Sequence, residues 1–355
     1  MKEQSRRKKA SGAVPMVVLA VSQPVTGPDP KVPRTEFETL SNIMDAVIVG
    51  NTHICRRTSV LEKISSKIAL DFAQAIRILQ NFPGVDAYIS FSERIGIPLG
   101  MLLRNKRRRP AHVMIAHRLD TRAKQLLNIF TRWRYGVDRI ITLCATQERH
   151  AGRILPGAAK FIKAGSTDNQ YYYPSETQQG DYILSVGSEN RDYSTLLAAI
   201  PETGLKLKIL SSSPWCRKEV TSRDNSCENV EFLPRVSYPD LRDLYRKAKL
   251  IALPLNDVEY AAGLNGLLEA FCMGKPLVVS SSSGLSDYIS HLDNSFIVPA
   301  GNTAALADAL QAVYSDESLR LQLSAGAKAA VEDYANLAAF TSSLEREIKD
   351  TISEV

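Results

Sequence analysis

The chain has 355 residues, which suits two α/β domains and exceeds what one comfortable core spans. Its composition, 44% hydrophobic and 23% charged with no long biased tract, is that of a globular protein. The formal net charge of +6 favours an anionic partner (a diphosphate, a lipid headgroup or nucleic acid), and no run approaches the ~20 apolar residues needed to span a bilayer.

Residues 1–12 read as a solvated basic tail carrying Lys2, Arg6, Arg7, Lys8 and Lys9. With the apolar run Val14 to Val21 behind it, the tail imitates a signal peptide. That run is short, contains Pro15 and lacks a good cleavage pattern, so it reads as the first buried strand. Four prolines between Gln23 and Arg34 demand a loop. Apolar residues at Leu61, Ile64, Ile68, Phe72, Ile76 and Leu79 predict a helix over 59–81. Strands follow at Ala87 to Phe91, Val113 to Ala116 and Arg139 to Cys144, with helices at Ile97 to Leu103 and 121–134. Asp168 to Ser175, with Tyr171, Tyr172, Tyr173 and Pro174, reads as a hinge.

A second alternation begins at the strand Tyr182 to Val186 and continues through a helix at Ser194 to Ile200. Further strands fall at Leu207 to Leu210, Val230 to Leu233, Leu250 to Leu253, Pro276 to Ser280 and Ser295 to Val298. Helices are expected at 239–247, 265–273, 303–315, 317–332 and 336–353. Strands alternating with helices in both halves imply an α/β protein of two doubly wound, Rossmann-like domains. The expected division is a tail at 1–12, a first domain at 13–174, a second at 175–335 and a closing helix at 336–355. Such sheets bind ligands at the carboxyl ends of their strands, and two of them facing each other make a cleft.

The five cysteines, Cys55, Cys144, Cys216, Cys227 and Cys272, form no CxxC pair. Their odd number argues against a zinc site or a disulfide framework and for a reduced compartment. No Walker A, GxSxG or metal-ligand spacing is present, and the expectation is no metal and no cofactor.

The chemistry concentrates in Asn256 to Ser280. The small residues Ala261, Ala262 and Gly263 lead into a helix that carries Glu269 and ends at Gly274. Backbone amides of Gly263, Leu264 and Asn265 at that helix start suit an anion. A carboxylate deeper in the helix can accept two hydrogen bonds from a ribose diol. Phosphate at the loop and ribose at Glu269 describe a nucleotide. The alternative is an ordinary surface loop with Glu269 as a solvated helix residue.

LLEAFCMGKPLVVS (267–280) resembles the donor-binding helix and following strand of the retaining GT4-type glycosyltransferases. The resemblance extends through NSFIVPAGNTAALADAL (294–310) and YILSVGSENRDYSTLLAAI (182–200). It implies the GT-B fold and transfer of a sugar from a nucleotide-sugar to a hydroxyl acceptor, with retention. It also implies that the last helix crosses back to the first domain. Glu269 matches the second Glu of the family's EX7E motif, which binds the ribose; the first falls on Ala261 and is absent, with Glu259 nearby but out of register. Gly187 ends a strand, and Arg191 behind it matches the basic residue that meets the donor diphosphate; the alternative is a surface arginine paired with Asp192. A second basic residue common in the family falls on Ser188. Arg235 and Val236 lie where similar enzymes hold the base.

In the first half, His117 at a strand end matches the histidine facing the transferred sugar, although a lone histidine is as often structural. Glu93 and Arg94 follow a strand and are acceptor-side candidates. The run Arg104, Lys106, Arg107, Arg108 and Arg109 suits a lipid-linked or glycan acceptor, or peripheral contact at the inner face of an anionic membrane. The expected enzyme is cytoplasmic and does not bind nucleic acid, since no aromatic residues interleave with the basic ones. Two alternatives remain: a catalytically weakened nucleotide-sugar-binding protein, suggested by Ala261 and Ser188, and a nucleotide-sugar epimerase of the same fold.

Overall fold

The computed structural model describes residues 16–25, 29–51, 70–106, 108–163, 165–175, 180–211 and 228–355. The basic tail, Arg107, Cys55, Cys216, Cys227 and the first turns of the helix predicted over 59–81 lie outside the described residues. Two compact units emerge. The first takes in residues 16–25, 36–162 and 341–355; the second takes in 29–35 and 163–340.

The first unit contains β1 (Val17–Ala20), α1 (Glu36–Met44), β2 (Val47–Val49), α2 (Phe72–Asn81), β3 (Ala87–Ser90), α3 (Glu93–Leu103) and β4 (Ala111–Ala116). It continues with α4 (Arg122–Thr131), a 3-10 turn at Trp133–Gly136, β5 (Arg139–Thr142), α5 (Ala145–Ile154) and β6 (Ala159–Phe161). Its six described strands are all parallel in the order β2-β1-β3-β4-β5-β6. β1, β3, β4 and β5 are buried along their whole length, as parallel strands covered on both faces must be.

Sequence patterning underestimates this unit. α1, β2, α5 and β6 are short elements that it does not anticipate. α3 begins at Glu93, one turn before the predicted Ile97, and runs through Pro98. A mid-helix proline removes one amide donor and leaves the carbonyl four residues earlier, that of Arg94, without its helical partner. The Asp71 amide fills that place at 2.8 Å. The helix expected over 121–134 stops at Thr131, because Arg132 takes φ 51 and redirects the chain so that Trp133 is fully buried. There, a Cβ at Gly136 would lie only 2.0 Å from the Gly100 carbonyl, so this crossing admits no larger residue.

The second unit holds β7 (Tyr182–Val186), α6 (Tyr193–Thr203), β8 (Lys206–Leu210), β9 (Val230–Phe232), α7 (Tyr238–Lys247) and β10 (Leu250–Leu253). It goes on with α8 (Leu264–Cys272), β11 (Leu277–Ser280), β12 (Phe296–Val298), α9 (Thr303–Ser315) and α10 (Glu317–Asp333). Its six described strands are parallel in the order β12-β11-β10-β7-β8-β9, so strand order reverses between β7 and β10. Asp192, Ser237, Asn302 and Asp316 each cap a helix with their side chains, every cap contributing about 1 kcal/mol. The core under α6 and α9 joins Leu196, Ile200, Ile209, Leu250, Leu310 and Val313.

The segment expected to be a hinge is packed into this unit. Tyr171 and Tyr172 are buried, and Asp168 is 3% exposed while binding Arg34 through both carboxylate oxygens. The last helix, α11 (Leu337–Glu354), belongs to the first unit from Thr341 onward. Arg139, buried at the start of β5, holds it by donating to Thr351 and to both carboxylate oxygens of Glu354.

Candidate functional site

The reversal of strand order in the second unit puts two loops side by side at the carboxyl ends of β7 and β10, where doubly wound sheets bind ligands. An isolated antiparallel bridge between Arg191 and Leu255 ties them together, with the Asp192 amide on Pro254 and the Asn256 amide on Asn190. β7 ends in Gly187 at φ +99, a left-handed turn that suits glycine. The turn also leaves room for Arg191, whose Nη2 would lie 2.5 Å from a Cβ at Gly187.

Arg191 is half-buried and folded under this turn. Its Nε donates to the Val186 carbonyl and its Nη1 to the Glu189 carbonyl, both at 3.0 Å. The other side of the guanidinium meets the start of α8: a Cβ at Gly263 or Gly266 would lie 3.2 or 3.3 Å from it. Burial lowers the pKa of Arg191, while Tyr193, Tyr245, Glu189 and Glu269 act in the opposite sense. Pairing with Asp192 does not occur, because that carboxylate is taken by Ser194 and Thr195 as the cap of α6.

At α8, Gly263 is the N-cap residue, with φ 88. Of the three amides expected to meet an anion, that of Leu264 closes a turn onto the Ala261 carbonyl. Those of Gly263 and Asn265 have no acceptor among the described residues, and neither has that of Gly266. The free donors at this helix start are therefore 263, 265 and 266, and Gly266 was missed. The glycine spacing in GLNG (263–266) was its signal.

Further along α8, Glu269 accepts a 2.8 Å hydrogen bond from the hydroxyl of Tyr245, which is fully buried on α7. The Tyr172 and Tyr245 rings meet edge to face at 6.3 Å. Burial raises the Glu269 pKa to about 7, even though Tyr245, Arg191 and Tyr172 pull it down. The same charge, added to burial, drives both tyrosines well above their usual range. Glu269 is thus a desolvated carboxyl poised near neutrality, and the reading as a solvated helix residue is overturned. The Tyr172 and Tyr245 partnership is tertiary and has no local sequence signature.

Arg235 is exposed and Val236 half-buried in the loop after β9, the edge strand; no described contact links them to Arg191 or Glu269. Ala261 stands in the loop before α8, and Glu259 beside it is exposed. A different carboxylate approaches: Glu189, from the Gly187 turn, accepts a 2.9 Å bond from the hydroxyl of Tyr260.

The first unit makes its own polar cluster after β3 and β4. Glu93, 6% exposed, accepts from the amides of His117 at 3.2 Å and Arg118 at 2.8 Å and from Lys124 Nζ at 2.8 Å. His117 Nδ1 lies 3.6 Å from the same carboxylate, with the ring 52% exposed. Burial alone would raise the Glu93 pKa, but His117 and Lys124 outweigh it and hold it well below the usual range. Burial lowers the His117 pKa, and Glu93 together with the distant Glu36 more than reverses this. Glu93 therefore fixes the His117 loop and is not a free acceptor-side carboxylate. Arg94 turns away to pair with Asp71 at 3.1 Å. His112, at the opposite end of β4, is a buried structural residue bonded to Ser90 and the Gly136 carbonyl. Within the basic run, Arg109 is also structural, binding both oxygens of Asp138.

Among the described residues no cluster of His, Cys, Asp and Glu could hold a metal ion, and no helix is long and apolar enough to cross a membrane. Cys144 and Cys272 are buried thiols that form no disulfide among the described residues; the first lies 3.2 Å from the Thr146 hydroxyl and the second donates to the Ala335 carbonyl.

The family model "Glycosyl transferases group 1" matches residues 180–316. D-inositol 3-phosphate glycosyltransferase from Xylanimonas cellulosilytica is 30% identical over 142 residues, which is 38% of this chain and 33% of that protein. The same enzyme from Pseudarthrobacter chlorophenolicus is 28% identical over 127 residues, 35% of this chain and 30% of that protein. The chain thus spans about a third of the length of these curated relatives. Among solved structures, sucrose-phosphate synthase from Thermosynechococcus elongatus superposes with a TM-score of 0.71 at 15% identity, covering 96% of this chain and 100% of that one. HepE from Anabaena in complex with UDP-glucose gives 0.70 at 13% identity with the same coverage. Residues 180–316 therefore match the glycosyl transferases group 1 family, and the two parallel sheets of the chain have the fold of the GT-B glycosyltransferases.

Proposed function

We propose that the chain transfers a sugar from a nucleoside-diphosphate sugar to a hydroxyl of a glycan or lipid-linked acceptor, with retention and without a divalent metal. One observation supports this above the others. The Arg191 guanidinium and the free amides of Gly263, Asn265 and Gly266 converge at the start of α8, ahead of the desolvated carboxyl of Glu269 on the same helix. A diphosphate fits the first group and a ribose diol the second. The relatives that match this segment are glycosyltransferases, and HepE holds UDP-glucose. Retention rests on the resemblance of residues 182–335 to retaining enzymes. Cytoplasmic placement rests on the sequence pattern of the cysteines, an odd five with no CxxC pair.

The barrier to transfer is loss of the nucleoside diphosphate from the anomeric carbon, which loads negative charge onto the β-phosphate. Arg191 is held by two carbonyls before any ligand arrives, so it meets that charge with little reorganisation. His117 is the group we assign to the sugar side. Its Nε2 has no partner among the described residues, and its loop is pinned by Glu93.

A thermal-shift screen against UDP, GDP, ADP and their sugars tests the donor site. Ligand at ten times its Kd raises stability by about 1.4 kcal/mol. Glu269→Ala should fold and lose that response; full retention of it would remove the ribose assignment. Transfer that survives EDTA supports the metal-free reading, and transfer abolished by EDTA and restored by a divalent ion refutes it. The absence of a carboxylate at Ala261 favours one other reading, a nucleotide-sugar-binding protein of weak activity. That protein would respond to the donor and transfer nothing.

A further inference from the structure

We propose that the outer face of α4, with the basic residues around it, docks on an anionic lipid surface. α4 buries none of its ten residues fully. Arg122, Leu126, Ile129 and Phe130 recur at i, i+4, i+7 and i+8 and so form one stripe. Leu126 is 53% exposed, Ile129 66% and Phe130 82%. Tyr135, 55% exposed, extends the patch past the helix end. Single exposed apolar side chains are ordinary on a soluble surface, whereas a contiguous group of them marks an interaction site. The helix is held in this orientation from below, by partly buried Leu127 and fully buried Trp133.

The charge around the patch identifies the occupant. From Arg94 through Val137 the sequence has eleven Lys and Arg residues and one acidic residue, Asp120. Lys106, Arg108, Arg122 and Arg132 are exposed, and none of them forms an ion pair among the described residues. Arg104, Asn105, Phe130, Thr131, Arg132 and Tyr135 line a shallow cavity of about 290 Å³. Two guanidinium side chains beside two aromatic rings suit a phosphate headgroup with its glycerol against the rings. A stripe of Leu, Ile and Phe with basic neighbours is the composition of a helix lying in the lipid interface. Nucleic acid would satisfy the charge and leave Leu126 and Ile129 without a partner. The surface lies wholly in the first unit and does not depend on the donor site.

The full chain should co-sediment with vesicles of phosphatidylcholine mixed with phosphatidylglycerol, and not with phosphatidylcholine alone. Binding should weaken with salt. Leu126→Ser with Phe130→Ser should keep the melting temperature and the nucleotide response and lose at least about tenfold in vesicle affinity. Arg122→Glu with Arg132→Glu should lose about fivefold for each basic residue removed, and more for the added negative charge. Three results would overturn the proposal: no binding of the unmodified chain to anionic vesicles; equal binding by both variants, which would point to the basic tail; or a dimer in gel filtration that the apolar variant converts to monomer, which would assign the face to a second copy. Failure of the donor reading would appear separately, as loss of the thermal response to every nucleotide with vesicle binding intact.

Discussion

Replacing Glu269 with glutamine should make the protein more stable and a worse nucleotide binder at once. Burial lifts the carboxyl from its ordinary value of 4.5 to about 7. That shift corresponds to about 3 kcal/mol of ionisation cost carried by the fold. The sign follows from proton uptake. Between the unfolded and folded values the native state holds the extra proton, so this group costs nothing below about pH 4.5, and stability falls as pH rises to about 7. Glutamine keeps an oxygen for the Tyr245 hydroxyl and has no charge to desolvate. Chemical denaturation at pH 8 should therefore give a variant more stable by up to about 3 kcal/mol, with the gain vanishing near pH 4.5. The ribose needs the ionised acceptor, and the ionised fraction rises from about a tenth at pH 6 to about nine tenths at pH 8. Apparent affinity scales with that fraction, so calorimetry with the cognate nucleotide-sugar, whose diphosphate does not titrate in this range, should show about a tenfold gain for the unmodified chain. The variant should bind weakly with a flat profile. A flat profile for the unmodified chain, or full affinity in the variant, would refute the assignment of Glu269 to the ribose.

Arg191→Lys should fold and lose on the order of 10²-fold in turnover, because an ammonium cannot hold the Val186 and Glu189 carbonyls and still present a planar face to phosphate; steady-state kinetics will show the loss mainly in kcat. Gly187→Ala puts a methyl group 2.5 Å from Nη2 of Arg191 at φ +99 and should destabilise by about 1–2 kcal/mol, with the thermal response to nucleotide reduced as well. Glu93→Gln removes the main source of the upward shift at His117, so the histidine-dependent limb of the pH–rate profile should move to lower pH. The charged histidine stabilises the fold below its unfolded value of 6.5 and stops doing so as pH rises through the raised folded value; the stability difference between Glu93→Gln and the unmodified chain should narrow over that interval.

The second unit was readable because its signals are local. Gly187, Gly263 and Gly274 each sit at positive φ where a strand or helix must turn, and the apolar runs between them have the length of buried parallel strands. Glu269 stands out in the sequence as a candidate, and its protonation state does not. That state depends first on burial, which lifts it against the pull of Tyr245, Arg191 and Tyr172, and all of this comes from distant parts of the chain. Glu93 misled for a related reason. A charged residue after a strand looks available to a ligand, and only the fold reveals that two amides and Lys124 already saturate it. The short elements α1, β2 and β6 escaped because three to nine residues give too little periodicity to read.

Pro98 makes α3 dependent on a segment that lies before it in the chain. Left to itself, the helix would carry one unsatisfied carbonyl in its first turn, and the amide that completes it belongs to Asp71, at the threshold of α2. Assembly of the two helices is therefore conditional: neither the α3 ladder nor the α2 entry is complete until they meet. Deuterium uptake at the Asp71 amide reads that meeting directly.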